Sequence, residues 1–366
     1  MKINTTKETL LEPLQQIGGV VERRQTLPIL ANILLNVRNG ILMVTATDLE
    51  VEIRTSIEVD SNGDKDFTLP ARKLIDICRA LQEKSDISIE TENEKVLIRS
   101  GRSRFSLGTL PAQDYPVIEG IVSNQQITVK EGQLKSLIDK THFAMAQQDV
   151  RYYLNGMLFE FNEGKIRTVA TDGHRLAMSE VGGIDNQGAD FQIIIPRKAV
   201  LELGRLLTYS EKAIKLDVSG SHLRVSLGKT QFTSKLVDGK FPDYQRVIPM
   251  HSDKTVTADR DVLRNALQRT SILSNEKYRG IRFQFTKGML ELLAHNPEQE
   301  EAKEEIEIQY EGDDLAIGFN VGYLIEVLNV VETDQVKMFL SDSNSSCLIE
   351  GDQASNSRYV VMPMRL

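Results

Sequence analysis

Apolar residues in this chain alternate over short runs, and at intervals the alternation gives way to helical spacing. The strings Ile29-Leu-Ala-Asn-Ile-Leu-Leu35, Leu154-Asn-Gly-Met-Leu-Phe159 and Gly280-Ile-Arg-Phe-Gln-Phe285 read as strands. Helical spacing appears over 7–17, where Leu10, Leu14 and Ile17 share a face, with Thr5 or Thr6 as N-cap and Gly18-Gly19 as terminator. A second helix is expected over 72–81 behind Pro70, burying Leu74, Ile77, Cys78 and Leu81. The pattern returns over 131–143 (Leu134, Leu137 and Ile138 inward), 197–207 (Val200, Leu201, Leu203 and Leu206 apolar), 259–272 and 321–331.

These elements recur at a fixed step. Thr168-Val-Ala-Thr-Asp-Gly-His-Arg-Leu-Ala177 reads as strand, tight turn and strand, with Asp172-Gly173 suited to the turn. Thr45-Ala-Thr-Asp48 and Leu293-Ala-His-Asn296 echo it, with 172 − 48 = 124 and 296 − 172 = 124. Ile33, Met157 and Ile281 keep the same step of 124. Leu69-Pro-Ala-Arg-Lys-Leu74 matches Ile195-Pro-Arg-Lys-Ala-Val200 and, distantly, Phe319-Asn-Val-Gly-Tyr-Leu324, while Phe105-Ser-Leu107 is echoed by Thr233-Ser-Lys235 and Tyr359-Val-Val361. A fixed period signals a repeat architecture. The expectation is an α+β fold of three tandem copies of one domain, at 1–124, 125–251 and 252–366, each with about two helices on one side of antiparallel sheet and solvent on the other. Strands at a copy's border are expected to continue into the next copy's sheet. The junctions 114–126 and 243–255 read as stiff connectors.

Composition narrows the class. No apolar run approaches the roughly 20 residues of a membrane span, and the N-terminus has no secretory h-region, so a cytoplasmic location is expected. Cys78 and Cys347 are too few for a disulfide framework or zinc cluster and read as reduced. A net charge of −8 speaks against a generic nucleic-acid binder, but says nothing of how charge is distributed. Cations do gather on predicted helices, as Arg72, Lys73 and Arg79, or Arg197, Lys198 and Arg205, although 321–331 carries none.

Four stretches carry a resemblance. Gln147-Gln-Asp-Val-Arg-Tyr-Tyr-Leu-Asn-Gly156, Ala170-Thr-Asp-Gly-His-Arg-Leu176, Lys235-Leu-Val-Asp-Gly-Lys-Phe-Pro-Asp-Tyr244 and Tyr359-Val-Val-Met-Pro-Met-Arg-Leu366 resemble the bacterial β sliding clamp family, the processivity subunit of DNA polymerase III. The resemblance spans the whole chain. It implies a head-to-tail homodimer, a closed six-domain ring with helices lining the hole and sheets outside, encircling double-stranded DNA without sequence preference. A ring reconciles an acidic protein with DNA, because topology supplies retention and Lys/Arg contacts to phosphate carry no base identity.

The resemblance also implies sites. Arg24, Arg72, Gln148, Tyr152 and Tyr153 match DNA-contacting positions, and Arg79, Arg197 and Lys198 join them from their helix faces; Arg23 has no assigned role. A pocket for short peptide motifs is implied at Leu154, Thr171, Gly173, His174, Arg175, Leu176, Pro242, Arg246, Val247, Ser346, Val360 and Met362, with Asn320, Tyr323, Pro363, Met364 and Arg365 in neighbouring stretches. Asn344 at its edge is expected to tune preference. Its implied partners are the replicative polymerase α subunit, the clamp loader, and other polymerases and repair proteins. Methionines suit a surface that accepts several partners. The dimer contact is implied to set Phe105 and Leu107 against Ile272 and Leu273, with Lys73, Arg102 and Arg104 facing the acidic run that includes Glu298, Glu300 and Glu301.

No catalytic chemistry, cofactor or metal is expected. Asp172 and His174 could suggest a hydrolase, but the repeat puts Leu49-Glu50 and Pro297-Glu298 where Gly173-His174 stand, so the Asp reads as a turn former. The histidines lack metalloprotease spacing. Gly228-Lys-Thr230 resembles the end of a P-loop, but Leu223 stands where the first glycine is needed. A DNA-free repeat scaffold is the other alternative from a different class.

Overall fold

The structure is a computed structural model, described here over residues 1–21, 27–92, 94–118, 121–186, 190–250, 252–352 and 356–365. Arg23 and Arg24 lie outside the described residues.

Six α-helices occur among the described residues: α1 (Lys7–Ile17), α2 (Ala71–Ala80), α3 (Glu131–Thr141), α4 (Arg197–Leu206), α5 (Arg260–Thr270) and α6 (Val321–Val330). Each begins within a residue or two of its expected start. Thr6 caps α1 by accepting from the Thr9 N–H, and Asp259 and Asn320 cap α5 and α6 in the same manner. In α2 the buried stripe is Ala71, Leu74, Ile75 and Cys78, whereas the expected stripe used Ile77 and Leu81. The helix stops at Ala80, so Leu81 cannot extend the stripe, and the i, i+3, i+4, i+7 count runs from Ala71 instead. Likewise Leu201 on α4 is 41% exposed. Both cysteines are buried and free, and burial pushes the Cys78 thiol up to about 12.

The chain divides into two compact units. The first comprises Met1–Gly132, Asp185–Gly188 and Lys198–Leu236. It holds a five-stranded antiparallel sheet ending at strand Ser103–Gly108 and a nine-stranded sheet. The nine strands come from two copies: strand Thr230–Lys235 of the second pairs with strand Val51–Glu58 of the first, with Thr230 opposite Thr55. The second unit comprises Gln133–Ile184, Ala189–Arg197 and Val237–Leu366. Its eight-stranded sheet is joined in the same way, strand Ser357–Val361 pairing with Arg175–Gly182 so that Ser357 faces Ser179. A four-stranded sheet ends at strand Glu301–Glu307.

The two joints are made alike. Hydroxyls meet across each, Thr55 with Thr230 at 2.9 Å and Ser179 with Ser357 at 2.8 Å. The landmarks also hold in register: Ile33 pairs Leu69, Met157 pairs Ile195 and Ile281 pairs Phe319. One alignment shifts by a residue. Ser100 opposite Ser103 corresponds to Leu227 opposite Thr230, so Phe105 matches Phe232 and not Thr233. Hairpin register, fixed by the turn, overrides the likeness of a three-residue string.

Candidate functional site

In the second unit the sheet face carrying Leu158, Val169, Leu176, Met178, Ile194, Leu348 and Val360 is covered by the connector 237–248. Phe241, Tyr244 and Ile248 of the connector are each less than 10% exposed. The expectation of a solvent-facing sheet thus fails here, because seven apolar side chains on one face need cover.

The cover is incomplete at one end, where an apolar pocket of about 170 Å³ remains. It is lined by Leu154, Thr171, Gly173, Arg175, Leu176, Pro242, Val247, Val360 and Met362, all expected, and also by Arg151 and Tyr244, which were not. Of the other expected residues, His174 fixes the C-terminal strand through its carbonyl, which accepts from the Met362 N–H at 2.9 Å. Met364 donates its N–H to the Gly318 carbonyl at 2.8 Å. Asn320 caps α6, and Ser346 and Pro363 are half-buried. None of these, nor Arg246, Tyr323 or Arg365, lines the pocket. Arg246 is exposed and pairs with Asp243 at 2.7 Å, and Arg365 and Asn344 are exposed.

Arg175 shows how a cation sits in an apolar wall. Its side chain is 9% exposed, and it pairs with Glu326 and with Asp172 at 3.1 Å. It also donates to the Phe143 carbonyl at 2.7 Å and lies over the rings of Tyr323 and Phe143. A buried charge is tolerable only with such pairing. Tyr323 therefore acts on the pocket through Arg175. At the mouth, Asp149 holds the Arg151 guanidinium at 2.9 and 3.0 Å, and that hydrogen bond pulls the Asp149 carboxyl down to about 2. Gly173, at φ +88°, lets this guanidinium approach, since a Cβ there would stand 3.0 Å from it.

Asp172 behaves as a turn former. Its Oδ1 accepts from the N–H groups of His174 (2.9 Å) and Arg175 (3.0 Å), as Asp48 does from Glu50 and Val51. Gly228, at φ +62°, is a hairpin turn.

The equivalent place at the first joint is lined differently. Glu52 stands where Leu176 does and Thr233 where Val360 does. Glu52 is 1% exposed and accepts from the N–H of Ile118 at 2.8 Å and from Arg54 at 2.6 Å. The first connector's Tyr115 accepts from the Thr47 N–H and donates to the Asn32 carbonyl, both at 3.2 Å. Thr47 is the counterpart of pocket residue Thr171.

The expected DNA-contacting residues are spread along the chain. Arg72, Arg79, Gln148 and Tyr152 are exposed, while Tyr153 is half-buried with its ring 5.7 Å from that of Tyr152. Gln148 takes φ +58°. Arg197 donates to the Met145 carbonyl at 3.0 Å. Lys198 already pairs with Asp48 at 2.5 Å. At the expected dimer contact, Ile272 is 76% exposed and Leu273 and Phe105 are half-buried, whereas Leu107 is already buried by its own chain. Lys73, Arg102, Arg104, Glu298, Glu300 and Glu301 are exposed.

Three family models match in tandem: the DNA polymerase III beta subunit N-terminal domain at 1–119, its central domain at 128–243 and its C-terminal domain at 245–365. The chain is 52% identical to the beta sliding clamp of Pseudomonas aeruginosa and 47% identical to that of Escherichia coli K12, covering 100% of both chains in each case. The crystal structure of the DNA polymerase III subunit beta from P. aeruginosa superposes with a TM-score of 0.95 at 52% identity, covering 100% of both chains. That of the P. aeruginosa clamp bound to griselimycin does so at 53% identity with the same TM-score and full coverage. Over its whole length, then, this chain belongs to the bacterial β sliding clamp family of DNA polymerase III.

Proposed function

We propose that two chains close head to tail into a ring around duplex DNA, and that the apolar pocket docks short peptide segments of proteins working on that DNA. Membership of the family makes the chain a DNA sliding clamp, a processivity subunit. In this reading it carries out no chemistry itself. The docked proteins are the replicative polymerase α subunit, the clamp loader, and other polymerases and repair proteins.

One observation carries the ring. Among the described residues two sheets end in open edges, strands Ser103–Gly108 and Glu301–Glu307. These are the counterparts of the strands that meet at the two joints within the chain, since Ser103 corresponds to Thr230 and Glu304 to Thr55. Pairing them between two chains would make a third joint of the same kind, in a heterologous contact that closes with two copies. Ser103 would face Glu304 of the second chain, Phe105 would face Ala302 and Leu107 would face Glu300. Such pairing also removes two exposed edges.

Arg24, Arg72, Arg79, Gln148, Tyr152, Tyr153, Arg197 and Lys198 are the proposed DNA contacts, with Lys198 first having to leave Asp48. The boundaries near 124 and 251 remain the proposed divisions between copies.

The test is retention. The protein is loaded by a clamp loader and ATP onto nicked circular DNA, washed in high salt, and the circle is then cut. A ring stays on the circle and leaves the linear product. Loss in salt from both forms would overturn the topological reading.

A further inference from the structure

The two connectors carry the same Asp-Tyr pair, Asp114-Tyr115 and Asp243-Tyr244, yet their tyrosines go to different places. Tyr115 reaches Asn32 and Thr47, the counterpart of pocket residue Thr171. Tyr244 turns the other way. Its hydroxyl donates to Glu160 Oε2 at 2.5 Å and accepts from Arg167 at 3.1 Å. Arg167 is held in turn by Glu180 at 2.7 Å, and Lys165 by the same carboxylate at 3.2 Å. The first copy has Asn36 and Met43 where the second has Glu160 and Arg167, so that cross-strand pair has no counterpart there, and Asn36 donates instead to Asp66 at 2.8 Å, a carboxylate that Arg38 already holds. Asn32 and Asn36 lie four residues apart on one strand, about 13 Å at strand rise.

We propose that Glu160 and Arg167 are positioning residues that open the peptide pocket by holding Tyr244 away from Thr171. This rests on the pocket being the docking site. Among the described residues, the connector 237–248 is otherwise hydrogen-bonded to the sheet only through the Val237 N–H and the Ile194 carbonyl, at 2.9 Å. Apolar packing alone does not dictate which way the ring turns, because it is non-directional. The hydroxyl's two charged partners do, and hydrogen bonds to charged groups are the strong ones. Released, the ring takes the direction its counterpart takes, and the pocket is closed for part of the time. A closed fraction lowers apparent affinity in proportion to the open population.

That mechanism predicts a kinetic split. Closure slows association and leaves dissociation unchanged, whereas loss of a direct contact speeds dissociation. Griselimycin, found on a 53% identical clamp, serves as the probe, with the full-length protein immobilised. Tyr244→Phe and Glu160→Ala are expected to lower the association rate about fivefold with an unchanged dissociation rate. Glu160→Gln, which keeps an acceptor, restores most of it. Met362→Ala, in the pocket itself, speeds dissociation and reports on the docking site. Wild-type rates in Tyr244→Phe and Glu160→Ala, beside a weakened Met362→Ala, would overturn the proposal and leave the pocket standing. A loss carried only by dissociation would make Tyr244 a mere wall contact and overturn it equally. No effect of Met362→Ala would remove the pocket reading, and this one with it.

Discussion

Replacing Ile272 by alanine should split the ring and leave each chain folded. The side chain is 76% exposed in the single chain, so its own fold gains little from it. Burying an isoleucine completely is worth about 1.5–3 kcal/mol, and three-quarters of that surface gives about 1–2 kcal/mol at one joint. A closed two-chain ring has the joint twice, so the dimer loses about 2–4 kcal/mol. At about 1.4 kcal/mol per tenfold, the dimer dissociation constant should rise about 30- to 700-fold. Stability of the chain itself should move by less than about 0.5 kcal/mol, as for other exposed sites. Sedimentation velocity over a dilution series reads the first quantity, and urea unfolding the second. An unchanged midpoint of dissociation would place Ile272 outside the interface and refute its contact with Phe105 and Leu107. A large fall in unfolding free energy would show instead that the side chain serves its own chain's core.

Other outcomes follow from the same geometry. Ser103→Cys combined with Glu304→Cys should give an interchain disulfide on mild oxidation, while Ser103→Cys with Ala302→Cys should not, because directly opposed Cα atoms stand about 4.5–5.5 Å apart and a two-residue slip is beyond reach; non-reducing gels decide. Met362→Ala should weaken peptide docking by about 1–2 kcal/mol and Met364→Ala by less, since only Met362 lines the pocket; titration calorimetry compares them. Asp149 is depressed to about 2, so its bond to Arg151 is complete above the unfolded carboxylate range and is lost as pH falls through about 2. In Arg151→Ala the carboxyl should return toward about 3.9, read by carbon NMR. Finally, Tyr152→Ala and Arg197→Ala should both weaken DNA binding, but only the arginine change should flatten the dependence of affinity on salt.

What could be read in the sequence was whatever lies close along the chain. The step of 124 residues survives because Ile33, Met157 and Ile281 each pair with the strand that leads into the copy's second helix. Helix caps at Thr6 and the turn role of Asp172 were equally legible, for they involve residues two or three apart. The phase of α2 was misread because the helix ends at Ala80, where Lys7 from α1 donates to the Arg79 and Leu81 carbonyls, a contact the apolar pattern does not show. Most of the pocket came from resemblance. Tyr244 and Arg151 escaped because their roles rest on distant partners: Tyr244 meets Glu160 across 84 residues, and Arg151 bonds the Asp172 carbonyl across 21. The Asp-Tyr pair shared by both connectors was the available signal, but only the divergence of its partners gives it meaning.

The buried carboxylate of Glu52 has a consequence for stoichiometry. By placing a paired carboxylate at the first joint it leaves the apolar seat, among the described residues, to the second joint, although the repeat could have offered more. A two-chain ring then has two seats, identical by symmetry and on the same moving body. If peptide segments dock there as proposed, two clients can ride together, each at high local concentration relative to the other, and a third must wait for a vacancy. Replacing one carboxylate with an aliphatic side chain is the step by which such a ring could gain another passenger.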